Sequence, residues 1–106
     1  MSERTIDRRR LERVTGERAT ETTALSVRER QVLYLVAQGF TNAAAGKVLY
    51  LAEDTVKTHL RRAFGKLGAF DRAHAVTEGF HRKILSSVGG RLAVDLPAGD
   101  IPVVKL

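Results

Sequence analysis

Residues 49–62 read LYLAEDTVKTHLRR, and the order of charge within them decides the fold. Two acids, Glu53 and Asp54, come first, and Lys57, Arg61 and Arg62 follow with Thr55, Thr58 and His59 among them. Turned at about 100° per residue, Val56, Leu60, Ala63, Phe64 and Leu67 share one arc, while Thr58, Arg61 and Arg62 point directly away from it. Lys57 borders the exposed arc on one side; Thr55, His59 and Lys66 border it on the other. The stretch predicts a helix from near Glu53 to Leu67, ended by Gly68. The acids complement the positive end of its dipole, the apolar arc faces a core, and the cations face outward.

Outward from this helix the same periodicity continues. In LSVRERQVLYLVAQGF (residues 25–40), Ser26 and Glu29 have capping-box spacing, Val32, Leu35 and Val36 line one side, and Gly39 suits a left-handed stop. Thr41 caps a short second helix, NAAAGKVLY, in which Gly46 is a weak point. Asp71 caps a fourth, DRAHAVTEGFHRKIL, with Val76, Phe80 and Ile84 at i, i+4 and i+8 forming an apolar strip. Four short helices with connections of a few residues predict a small all-α domain over residues 25–85.

The rest of the 106 residues are read as flanks: an N-terminal arm, 1–24, disordered or weakly helical, and a C-terminal tail, 86–106. The arm carries six Arg against five acids, and its few apolar residues are Ile6, Leu11 and Val14. Such a segment buries too little to offset its ordering entropy. In the tail, Leu92, Val94 and Leu96 alternate, and IPVVKL follows a turn at LPAG, which suggests a short β-hairpin that is marginal unless packed on something else.

The formal charge of +6 favours polyanions, nucleic acid before anionic membrane. Ten of the cations lie between residues 25 and 85, against five acids. Cys is absent, which removes disulfides and thiol chemistry. No apolar run approaches the ~18 residues of a membrane span, and no signal-peptide core follows the first residues, so the chain is read as soluble and cytoplasmic. His59, His74 and His81 are too scattered for a metal site, and no cofactor is implied. GFTNAAAGKV lacks the glycine and hydroxyl that a P-loop needs, and no catalytic constellation stands out.

A solvated basic face is the ordinary reading of a lone helix. Here the cations cluster, short hydrogen-bonding residues lie between them, and another helix precedes by a short turn. That is the helix-turn-helix layout, in which one helix crosses the DNA backbone and the next enters the major groove. At this point residues 25–80 resemble the LuxR/GerE-type DNA-binding domain, through LSVRERQVL, GFTN, TVKTHLRRAFGKLG and DRAHAV. The resemblance implies a tetrahelical domain whose third helix reads bases through Lys57, Thr58 and Arg61; the sequence is read as carrying no receiver or sensory domain beside it. It implies phosphate contacts from Asn42, Thr55, His59, Arg62 and Lys66, and a scaffold role for Glu29. Departures are Ala43–Gly46 in the second helix, Tyr50 where the family often has Gly, and Ala52 where it commonly has a Ser cap.

Two functions follow from this reading. One is a sequence-specific regulator of transcription that binds double-stranded DNA as a homodimer. Its fourth-helix strip of Ala73, Val76, Phe80 and Ile84 forms the interface, and another regulator or RNA polymerase is a further partner. The other is an interaction protein that uses its fourth helix and tails to bind and modulate another regulator. Selection of a consensus DNA site separates the two.

Overall fold

The computed structural model describes residues 24–104. Four helices, α1 (Val27–Ala37), α2 (Asn42–Leu49), α3 (Glu53–Leu67) and α4 (Arg72–His81), precede strands β1 (Leu85–Val88) and β2 (Arg91–Val94) and a 3₁₀ turn at Ala98–Asp100. The predicted arm, residues 1–24, lies outside this range apart from Ala24. No described helix is long and apolar enough to cross a membrane.

Local chemistry places the helix starts. Ser26 Oγ accepts from the Glu29 amide while Glu29 Oε1 accepts from the Ser26 amide, a reciprocal box that satisfies two otherwise unpartnered donors. Thr41 and Asp71 cap α2 and α4 through Ala44 and His74. Ala52, before α3, makes no side-chain cap.

The four helix ends share one device. In each, a residue at positive φ reverses the chain: Gly39, Tyr50, Gly68 and Lys83. The next amide then bonds back to a carbonyl in the last turn, as Phe40 to Leu35, Leu51 to Gly46, Ala69 to Phe64 and Ile84 to Gly79. Two of these reversals lack glycine, and there an L side chain occupies a sparsely populated backbone region.

That device corrects the fourth helix. It ends at His81, and the reversal at Lys83 carries Ile84 off the helix into the core, 7% exposed. The strip expected at Val76, Phe80 and Ile84 is therefore not one face. Ala75 and Gly79 are the residues of α4 that are buried, and a Cβ on Gly79 would meet Leu85 and Leu33 at 2.9 and 3.0 Å. Small side chains let α4 approach α1 closely, whereas Phe80 stays 40% exposed.

The hairpin also lies elsewhere than expected. Leu85 pairs with Val94 and Val88 with Arg91, around a two-residue turn of Gly89 and Gly90 whose φ values of 57° and 78° suit a type I′ turn. The LPAG segment, residues 96–99, expected to turn between strands, instead leads into the 3₁₀ turn at Ala98–Asp100. Leu85 and Val94 join Leu25, Leu33, Ala63, Leu67, Ala75 and Ile84 in one half of the core. The other half gathers Val32, Leu35, Val36, Ala45, Leu49, Val56 and Leu60, and Phe64 and Val76 pack against both.

Two α1 side chains fasten the segment after β2. Arg30 Nη1 donates to the carbonyl and carboxylate of Asp95 at 2.9 and 3.0 Å, and Gln31 Nε2 donates to the Asp100 carbonyl at 2.6 Å.

Candidate nucleic-acid interface

Helices α2 and α3 meet through a turn of three residues, Tyr50 to Ala52. The turn is tight because Gly46 has no side chain: a Cβ there would lie 2.5 Å from the Leu51 carbonyl oxygen. Gly46 is thus more than a weak helix former; it lets the turn fold back on α2. Tyr50, at φ 59°, is 93% exposed at the outside of this turn.

The orientation of α3 follows from its burial. Val56, Leu60, Ala63 and Leu67 are buried, and Lys57, Arg61 and Arg62 are exposed. Those three cations make no hydrogen bond or ion pair among the described residues, although others do. Arg30 holds Asp95, Lys66 holds Glu29, Arg72 holds Asn42 and the Phe40 carbonyl, and Arg82 holds the end of α3. The fold therefore uses one set of cations as internal ties and leaves another on one helix face, solvated and available to an anion.

The remaining expected contacts have distinct environments. Thr58 Oγ1 donates to the Asp54 carbonyl at 3.1 Å, so its methyl and its oxygen lone pairs are what it can offer a partner. Thr55 is exposed in the first turn. His59 is half-buried, and its Nδ1 is buried without a hydrogen-bond partner. A proton on that nitrogen would be a stranded donor, which favours the tautomer with the proton on Nε2. Asn42 Oδ1 accepts from Arg72 Nη1 at 3.0 Å, which leaves the two amide hydrogens of Asn42 free to donate elsewhere.

Lys66 needs correction. Its ammonium lies 2.8 Å from Glu29 Oε1 and 3.2 Å from the Ala24 carbonyl, so the charge expected on phosphate is instead engaged as a tie between α3 and the start of α1, with the side chain 28% exposed. Burial raises the Glu29 carboxyl, but bonds from Lys66 and Ser26 and the Lys66 charge outweigh it and hold the group below its ordinary value of 4.5. Glu29, 3% exposed, serves both the cap and the pair.

Of the strip expected to form an interface, Ala73 and Phe80 are exposed, Val76 is half-buried and Ile84 belongs to the core. Ala73 and Val76 line a shallow groove of about 290 Å³ with Val36, Ala37 and Arg72. His74 stacks on Phe70 at 5.1 Å and accepts from its amide. Among the described residues no three His, Asp or Glu side chains gather as metal ligands. Sequence reasoning missed Arg72 and Arg82, whose partners lie 30 to 32 and 15 to 16 residues away, separations that carry no periodic signal.

Comparison with known proteins gives this geometry a context. A family described as "Bacterial regulatory proteins, luxR family" matches residues 23–78. The chain is 48% identical over 61 residues to the probable transcriptional regulatory protein NarL of Mycobacterium tuberculosis, covering 58% of this chain and 28% of that protein. It is 46% identical over 63 residues to the HTH-type transcriptional activator RamA of Corynebacterium glutamicum, covering 59% and 22%. Among solved structures it resembles the response regulator ChrA of a heme-sensing two-component system, with TM-score 0.55 and 38% identity over 57% of this chain and 30% of that one. The chain thus spans less than a third of the length of these proteins.

Proposed function

We propose, from the premise that the chain belongs to the luxR family of bacterial regulatory proteins, that it binds double-stranded DNA sequence-specifically and regulates transcription. One observation carries this reading: Lys57, Arg61 and Arg62 stand exposed and unpaired among the described residues, on the outer face of the second helix of a helix-turn-helix pair. An α-helix fits the major groove, where Lys or Arg donates to guanine O6 and N7 and a Thr methyl meets the thymine methyl. Lys57, Thr58 and Arg61 read bases in this proposal. Asn42, Thr55, His59 through Nε2, and Arg62 contact phosphate. The role is one of binding, exercised in the cytoplasm, with no chemical step.

A single short recognition helix covers few base pairs, and two-fold dimers answer this by setting two helices about one DNA turn apart. The proposed dimer contact uses Ala73 and Val76 of α4, which line the shallow groove against α1, and Phe80, which stands 40% exposed one turn beyond Val76. RNA polymerase or a second regulator is the further partner through which binding acts on transcription.

Selection of binding sites from random duplex DNA, followed by gel shift at fixed moderate salt, tests the proposal. Arg61→Ala should weaken binding to the selected site by ~1–3 kcal/mol and relax preference at one base position, while Arg62→Ala should lower the salt slope by about one. Failure to select any consensus would sink the DNA reading and favour a module that binds another regulator.

A further inference from the structure

The last four carbonyls of a helix have no partner within it, and those of α3 are all satisfied. Phe64 O accepts from the Ala69 amide at 2.9 Å and Gly65 O from the Gly68 amide at 3.3 Å. The other two are taken by one side chain: Arg82 Nη1 donates to Lys66 O at 3.3 Å and Nη2 to Leu67 O at 3.2 Å. Its Nε faces Glu78 Oε1 at 3.5 Å, one turn earlier on α4. A planar, always-charged fork carried by the C-cap of α4 thus closes the negative end of α3.

The two ends of α3 are held differently. At its C-terminal end Lys66 is tied to Glu29 and Ala24 on one side and Arg82 grips from the other. Its N-terminal half lacks a cap from Ala52 and is held by Val56 and Leu60, contacts that resist separation but have little direction. Lys57 lies ten residues from Leu67, a lever of ~15 Å at the helical rise, so a tilt of ~5° about the clamped end moves it by ~1.3 Å. That exceeds the ~0.5 Å within which directional contacts must be held.

We propose that Arg82, oriented by Glu78, is a positioning residue that sets the tilt of α3 and so the register of Lys57, Thr58 and Arg61 on base edges. The proposal rests on the DNA-binding reading above and adds to it a residue that acts through α3 without touching DNA. A lysine at this position keeps the charge but cannot span two adjacent carbonyls with a rigid fork. That difference separates positioning from a simple phosphate contact.

The test uses the full chain with Arg82→Lys, Arg82→Ala and Glu78→Gln. Residual dipolar couplings of the free protein report the angle between α3 and α4; gel shifts report the affinity ratio for the selected site over a scrambled duplex, and its salt slope. Both Arg82 variants should alter the couplings and lower the ratio by about ten-fold, within the range of one lost bidentate base contact. The salt slope should stay unchanged, because no phosphate contact is lost. Glu78→Gln should act in the same direction and less. If Arg82→Lys behaves as wild type while Arg82→Ala lowers the slope by about one, Arg82 is a phosphate contact and the proposal is overturned. Unchanged couplings in the lysine variant overturn it as well, and that readout holds even for a wild-type protein that selects no site, the separate outcome that defeats the DNA reading.

Discussion

Replacing Gly46 by alanine sets two effects of opposite sign against each other within one helix. Helix propensity alone favours alanine in a helix interior by ~1 kcal/mol. The added Cβ, however, would stand 2.5 Å from the Leu51 carbonyl oxygen, where ordinary contact begins at 3.4 Å. The shortfall of about 0.9 Å falls on backbone, which has no rotamer with which to yield, so the turn between α2 and α3 must open. Overpacking of this kind costs ~1–3 kcal/mol, and a contact with backbone belongs at the upper end, which leaves a net destabilisation of ~1–2 kcal/mol. Gly65 is the internal control: it lies within α3, and a Cβ there meets nothing within 4 Å. Gly65→Ala should therefore stabilise by ~0.5–1 kcal/mol. Urea unfolding followed by circular dichroism measures both. If Gly46→Ala and Gly65→Ala stabilise equally, propensity governs both sites and the close approach at the turn is not a constraint on the fold.

The pair of Glu29 and Lys66 gives stability a pH dependence of fixed sign. The carboxyl of Glu29 is lowered in the folded chain, so its contribution is full above about pH 4.5 and is lost as pH falls through the lower folded value; Glu29→Gln should flatten that part of an acid-unfolding profile, and an unaltered profile would refute the pairing. Ala52→Ser should stabilise by ~1 kcal/mol by supplying the cap that α3 lacks, as read from the urea midpoint, and no change there would mean that the extended Ala52 does not present a hydroxyl to the first turn. Phe80→Glu should keep the helical circular dichroism yet sediment as a monomer and bind DNA more weakly, whereas a wild-type protein that is monomeric on its selected site would refute the dimer.

What could be read from the sequence was local. Ser26 with Glu29, Thr41, Asp71, Gly39 and Gly68 announce helix ends through side chains or backbones acting within a few residues, and each acts where expected. The buried face of α3 also followed, because one turn of a helix fixes the next. Where the expectation failed, the cause was non-local or lacked its usual residue. Lys83 makes a reversal that glycine normally announces, so by its spacing alone Ile84 continues α4. Lys66 looks like its solvated neighbours until Glu29, 37 residues away, is folded against it. In the tail, alternating apolar residues outweighed the pair Gly89 and Gly90, which in fact sets the strand register.

The ties from Arg30 to Asp95 and from Gln31 to Asp100 join positions 65 and 69 residues apart. A ribosome delivers α1 before β1 and β2, so Leu33 emerges long before Leu85 and Val94, which share its half of the core. The helices can gather as they appear, but the domain stays unsealed on that side until residue 100 has been made. Loop closure over such a span adds only slowly to the entropic cost, so the delay is one of supply more than of search. Through that interval the nascent chain presents α3 on an unfinished body, and the described domain closes only when β2 packs against α1.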